Sequence, residues 1–66
     1  MTPAELASAL AELGAFLPLK PYGGTVVDSR ERVVSITNPF IPASERRSLA
    51  TLIAQAVNAA GGMEET

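Results

Sequence analysis

The residues able to do chemistry are few, and the first fact about them is what is missing. The 66-residue chain contains no histidine and no cysteine. That removes the commonest general base and the best nucleophile. Serines stand at positions 8, 29, 35, 44 and 48, and the single lysine, Lys20, sits in a proline-flanked segment with no serine beside it. Glu5, Glu12, Asp28, Glu31, Glu45, Glu64 and Glu65 are spread along the chain and form no paired-carboxylate motif. The stretch "YGGT" at 22–25 lacks the lysine and the spacing of a phosphate-binding loop. Disulfides are excluded, and so is a Cys/His zinc site. The expectation is a chain with no catalytic residue, no metal and no cofactor, which works by binding.

Two charge groups are candidates for that binding. Arg30, Arg32, Arg46 and Arg47 are four of the five basic residues, and they fall between positions 30 and 47. Brought together, they would make a phosphate-contacting patch. Glu31 and Glu45 interleave with them, however, and the net charge is −2. A solvated mixed-charge rim is the favoured reading, and direct nucleic-acid binding is not expected. All the carboxylates are expected outside the core. Glu5, Glu12, Asp28 and Glu31 are the candidate partner-binding set, because an acidic face engages a basic protein and orients it.

The elements that must position these groups can be read from pattern. Thr2, Pro3 and Glu5 spell a capping box with proline at the first helical position, and Leu6, Leu10, Leu13 and Leu17 follow at helical spacing. The spacing predicts a helix over 3–14, closed by Gly14. "PLKPYGG" reads as a connector. "TVVDS" and "RVVSIT" predict strands over 24–29 and 32–37 around the turn "DSRER". Pro39 and Pro42 end the sheet. Leu49, Leu52, Ile53, Ala56, Val57 and Ala60 predict an amphipathic helix over 43–60, closed by Gly61 and Gly62. The tail after it is expected to fray.

This order implies one α+β domain over 1–66. It is a two-layer αββα arrangement, with an antiparallel hairpin and both helices on one face. On the second strand, Val34 and Ile36 are expected inward, with Val33, Ser35 and Thr37 outward. The phase of the first strand stays open, because adjacent valines give no alternation; if Asp28 points outward, so does Val26. The expected core is Leu6, Leu10, Leu13, Val34, Ile36, Leu49, Leu52, Ile53 and Val57, so that Leu52→Ala would cost about 2–5 kcal/mol. The uncovered hairpin face around Val33 and Ser35 is the second candidate contact, as a strand added to a partner's sheet or to a homodimer. No apolar run spans a bilayer and no signal segment opens the chain, so a cytoplasmic protein is expected.

"GGTVVDSRERVVSITNP" followed by "ERRSLATLIAQAVNAAGG" resembles small phage- and prophage-encoded proteins, which carry a V-V-x-x-x-x-R-V-V hairpin and an L-I-A-x-A-V-N-A helix. The likeness covers residues 23–62. Ser29, Arg30 and Glu31 stand in the turn where the common pattern has an Asp/Gly pair. The resemblance implies a mobile-element origin in a bacterial host. It also implies an anti-CRISPR-like inhibitor that binds a CRISPR effector subunit and occupies its nucleic-acid or subunit-docking surface. A small regulatory protein using the arginines, and a self-associating structural protein, are the alternatives.

Overall fold

The structure is a computed structural model in which residues 1–63 are described. Glu64 and Glu65, expected outside the core, and most of the tail lie outside the described residues. The chain runs α1 (Pro3–Glu12), β1 (Lys20–Tyr22), β2 (Thr25–Val27), β3 (Val33–Ile36) and α2 (Ala43–Ala60). The strands form one antiparallel sheet in the order β1-β2-β3. The chain is thus a small α+β domain with three strands. The third, β1, occupies the stretch that reads as a connector. Its signal is "YGGT", two glycines between strand-forming residues, which is a hairpin-loop pattern. Gly23 has a φ of +59°, a conformation glycine adopts without steric cost.

The capping box forms at the start of α1. Glu5 N–H donates to Thr2 Oγ1 at 3.1 Å, and Thr2 N–H donates to Glu5 Oε1 at 3.0 Å. Thr2 also holds the Glu5 carboxyl below its ordinary pKa, chiefly through that backbone N–H. Leu13 caps the helix at its other end, with Gly14 following at positive φ. α1 nevertheless contributes no buried residue. Its first turn lies beside the end of α2, with Pro3 next to Gly62. The helix seated on the sheet is α2, which packs on β1 and β2.

The core is smaller than the sequence pattern implies. Leu19, Val26, Ala50 and Ala54 form it, with Leu17, Ile53 and Val57 against its edge. Of the expected core, Ile53 and Val57 take part. Leu6 and Leu10 are only half-buried, and Leu13, Val34, Ile36, Leu49 and Leu52 are exposed, Leu13 by 84% and Leu52 by 62%. For Leu49 and Leu52 the reason lies in the rotation of α2. Its inward residues are Ala50, Ile53, Ala54, Val57, Asn58 and Gly61. These have the same spacing as the expected set but are shifted by one position, about 100° around the helix. Small residues at 50 and 54 let the helix backbone approach the sheet closely, and the larger leucines are turned to solvent.

The phase of the sheet is settled by pairing. Val26 pairs with Pro21 and Ser35, while Val27 pairs with Lys20 and Val33, and Thr25 with Tyr22 and Ile36. Val26 faces α2 and is fully enclosed. A bulge shifts the β2–β3 register between Val26 and Val27, leaving Val34 as the extra residue. The bulge breaks period-two alternation. Val33 and Ile36 therefore share the open face, and Ser35 and Thr37 turn toward the helix side. Expecting Ile36 inward, and Val33 with Ser35 on one face, followed from assuming an unbroken strand.

Candidate functional site

The sheet face away from Val26 carries Lys20, Tyr22, Thr25, Val27, Val33 and Ile36, of which Val27 is buried and Thr25 half-buried. A groove of about 420 Å³ lies on it, lined by Lys20, Tyr22, Val27, Glu31 and Val33. Lys20 Nζ and Glu31 Oε1 pair across it at 3.1 Å. Tyr22, Val33 and Ile36 remain 71%, 65% and 65% exposed. All four β3 residues are exposed. The result is an uncharged edge strand beside a small groove with apolar walls and one ion pair at its rim.

The turn that shapes this groove is built on Asp28. Its carboxylate is completely enclosed. Oδ1 accepts the N–H groups of Arg30 and Arg32, both at 2.9 Å, and Oδ2 accepts Phe16 N–H at 3.3 Å. The Asp28 N–H donates to the Arg32 carbonyl oxygen, and Ser29 N–H donates to that of Phe16. The Arg32 N–H holds the Asp28 carboxyl below the ordinary aspartate pKa. Burial opposes that shift, while the Phe16 and Arg30 N–H groups and the Arg32 charge reinforce it. Asp28 is therefore not part of an acidic surface, as the sequence reading had it. An aspartate before a polar turn is an Asx-turn former, and that was the available signal.

The remaining candidates separate. Glu5 belongs to the α1 cap, and Glu12 is exposed at the end of α1. Glu31 is engaged with Lys20. The Arg30 guanidinium stacks on the Phe16 ring, 3.8 Å from its centroid. Arg46 lies at the opposite end of the sheet. Its Nε donates to Thr37 Oγ1 at 3.3 Å, and its guanidinium covers Gly24, where a Cβ would come within 2.8 Å of it. Arg30 and Arg32 occupy the β2–β3 turn, whereas Gly24 and Thr37 mark the other ends of those strands. The arginines are thus divided between two ends of the sheet, with Arg32 and Arg47 exposed. They do not assemble as the four-residue patch that their closeness in sequence allowed.

The sequence reading missed Lys20, Tyr22 and Ile36 as site residues, because β1 and the β3 bulge were not legible. It also passed over Phe40, which is 94% exposed. Among the described residues, no three His, Cys, Asp or Glu side chains gather into a metal-binding group, and every buried side-chain N or O has a hydrogen-bond partner. No helix among them is long and apolar enough to cross a membrane. No family model, curated protein or solved structure matches this chain.

Proposed function

We propose that this chain is a protein-binding module that acts by docking and carries out no catalysis. Its contact surface is the β3 edge with the groove beside it. One observation carries this reading: Val33 and Ile36 stand 65% exposed on an edge strand that bears no charge. Edge strands are ordinarily blunted by charge, proline, a bulge or cover; β3 has the bulge at Val34 but neither charge nor proline. Its exposed apolar side chains support docking against another protein. The resemblance to phage-encoded proteins supplies the partner class, a subunit of a host defence complex such as a CRISPR effector, inhibited by occupation of its docking surface. The acidic route has less support, since Asp28 is enclosed and Glu31 is paired.

The test is capture by the tagged chain from bacterial lysate expressing CRISPR effector complexes. An effector subunit is expected in the eluate of the wild type and of Glu5→Lys/Glu12→Lys, and absent with Ile36→Lys. Retention by Ile36→Lys together with loss in the charge-reversed variant would move the contact to α1 and overturn the proposal.

A further inference from the structure

We propose that the Lys20–Glu31 ion pair is a strap across Val27, which keeps the floor of the sheet groove covered until the pair is broken. This rests on the docking role assigned to the groove above and adds what controls access to it.

Val27 supplies the first observation. It stands on the sheet face away from Val26, whereas α2 packs on the other face. Its cross-strand neighbours are Lys20 of β1 and Val33 of β3, in one row. Val33 is 65% exposed, yet Val27 beside it is only 4% exposed. The cover over Val27 therefore comes from groups standing on this face. Lys20, Tyr22, Glu31 and Val33 wall the groove above it. Two of these walls are joined, since Lys20 Nζ lies 3.1 Å from Glu31 Oε1. Lys20 belongs to β1 and Glu31 to the turn between β2 and β3, so the pair spans β2 at Val27, its last residue. Long charged side chains lay their stems on apolar surface and keep their charged heads in water.

Glu31 supplies the second observation. Its φ of +63° lies in the left-handed region, where a residue other than glycine is uncommon. Glycine would take this conformation without steric cost, but glycine has no carboxylate to offer Lys20. The turn imposes the conformation. Asp28 Oδ1 accepts the N–H groups on either side, those of Arg30 and Arg32, and Glu31 N–H donates to the Asp28 carbonyl oxygen at 3.0 Å. Strain of this kind is retained where a side chain is needed at that place. Arg30, next in sequence, does not take the carboxylate, because its guanidinium stacks on Phe16. Both ends of the strap are thus anchored through the backbone, one in the β1 ladder and one in the Asp28 turn. Only two side chains have to move.

The pair is also exposed, and an exposed ion pair is weak and screened by salt. The strap therefore covers the groove without locking it. A docking protein can displace it and reach Val27 without disturbing the sheet.

The test is nuclear magnetic resonance of valine methyl groups, relaxed by an uncharged nitroxide added to the solution. It is run at about 10 mM and about 1 M salt, where the screening length is about 30 Å and about 3 Å. In the wild type at low salt, the Val27 methyls are expected to be shielded like those of Val26, with the Val33 methyls strongly relaxed. At high salt the Val27 values are expected to move toward those of Val33. Glu31→Gln and Lys20→Met keep the side-chain lengths and remove one charge each. Both are expected to show that exposure already at low salt, with no further response to salt. Val26 methyls that stay shielded throughout report an intact fold. Val27 methyls shielded in both variants and at high salt overturn the proposal, as does a salt response of the same size in the variants as in the wild type.

In the capture experiment, Glu31→Gln is expected to retain more effector subunit than the wild type. Retention no greater than the wild type's, with Val27 open, overturns the strap's control of access. If Val27 stays shielded while Ile36→Lys abolishes capture, the strap falls and the docking role stands. If Val27 opens while Ile36→Lys captures the effector unchanged, the strap stands and the docking role falls.

Discussion

The side-chain amide of Asn58 in α2 exchanges two hydrogen bonds with the backbone of Leu19. Leu19 N–H donates to Asn58 Oδ1 at 2.6 Å, and Asn58 Nδ2 donates to the Leu19 carbonyl oxygen at 2.8 Å. The amide thus serves Leu19, just ahead of β1, as a neighbouring strand would, and it joins residues 39 positions apart. Both residues are buried, so water cannot take over either bond.

Replacing Asn58 with alanine strands a buried N–H and a buried C=O on Leu19. The expected loss is about 2–4 kcal/mol, measured by urea unfolding followed by circular dichroism. A loss below 0.5 kcal/mol, within the ordinary range of a neutral surface change, would mean that α2 is held on the sheet by its apolar contacts alone.

Asp28 makes stability depend on acid. Its carboxyl titrates below the ordinary aspartate value in the folded chain. Its contribution is therefore complete above about pH 4, the unfolded value, and is lost as pH falls through the lower folded value. Asp28→Asn keeps the shape but sets an amide donor or a weaker acceptor against the N–H groups of Phe16, Arg30 and Arg32. The variant is expected to be less stable at neutral pH, with a shallower decline as pH falls below the ordinary aspartate value. Parallel slopes for the two proteins in thermal melts across that range would contradict the assignment.

The rotation of α2 separates two substitutions. Leu52→Ala removes a side chain that is 62% exposed and is expected to change stability by less than about 0.5 kcal/mol. Ala54→Leu forces a large side chain between helix and sheet and is expected to cost about 1–3 kcal/mol or more. Chemical denaturation of both gives the comparison. The opposite order of costs would restore the leucine-inward helix that the sequence pattern implies.

Glu31 has a φ of +63° within the Asp28 turn. Glu31→Gly and Glu31→Val lose the Lys20 ion pair equally, so their difference reads the backbone alone. The glycine variant is expected to be the more stable by about 1–2 kcal/mol, because a β-branched residue is strained in the left-handed region. Equal melting temperatures would place the turn in another conformation.

Sequence by itself determined where the two helices start and, to within two residues, where they stop. Thr2, Pro3 and Glu5 start α1, Gly14 follows its cap, and Gly61 ends α2, because caps are made by residues within one turn of each other. The two valine-rich strands and the turn between them were legible for the same reason. The faces were not. Which side of α2 lies inward depends on Asn58 meeting Leu19 and on alanines admitting close approach. The faces of β3 depend on a bulge that exists only when β2 lies alongside. The role of Asp28 depends on Phe16, which is 12 residues away. Spacing along a chain records periodicity without absolute phase; the tertiary structure supplied the phase by deciding which buried polar groups had to be satisfied together.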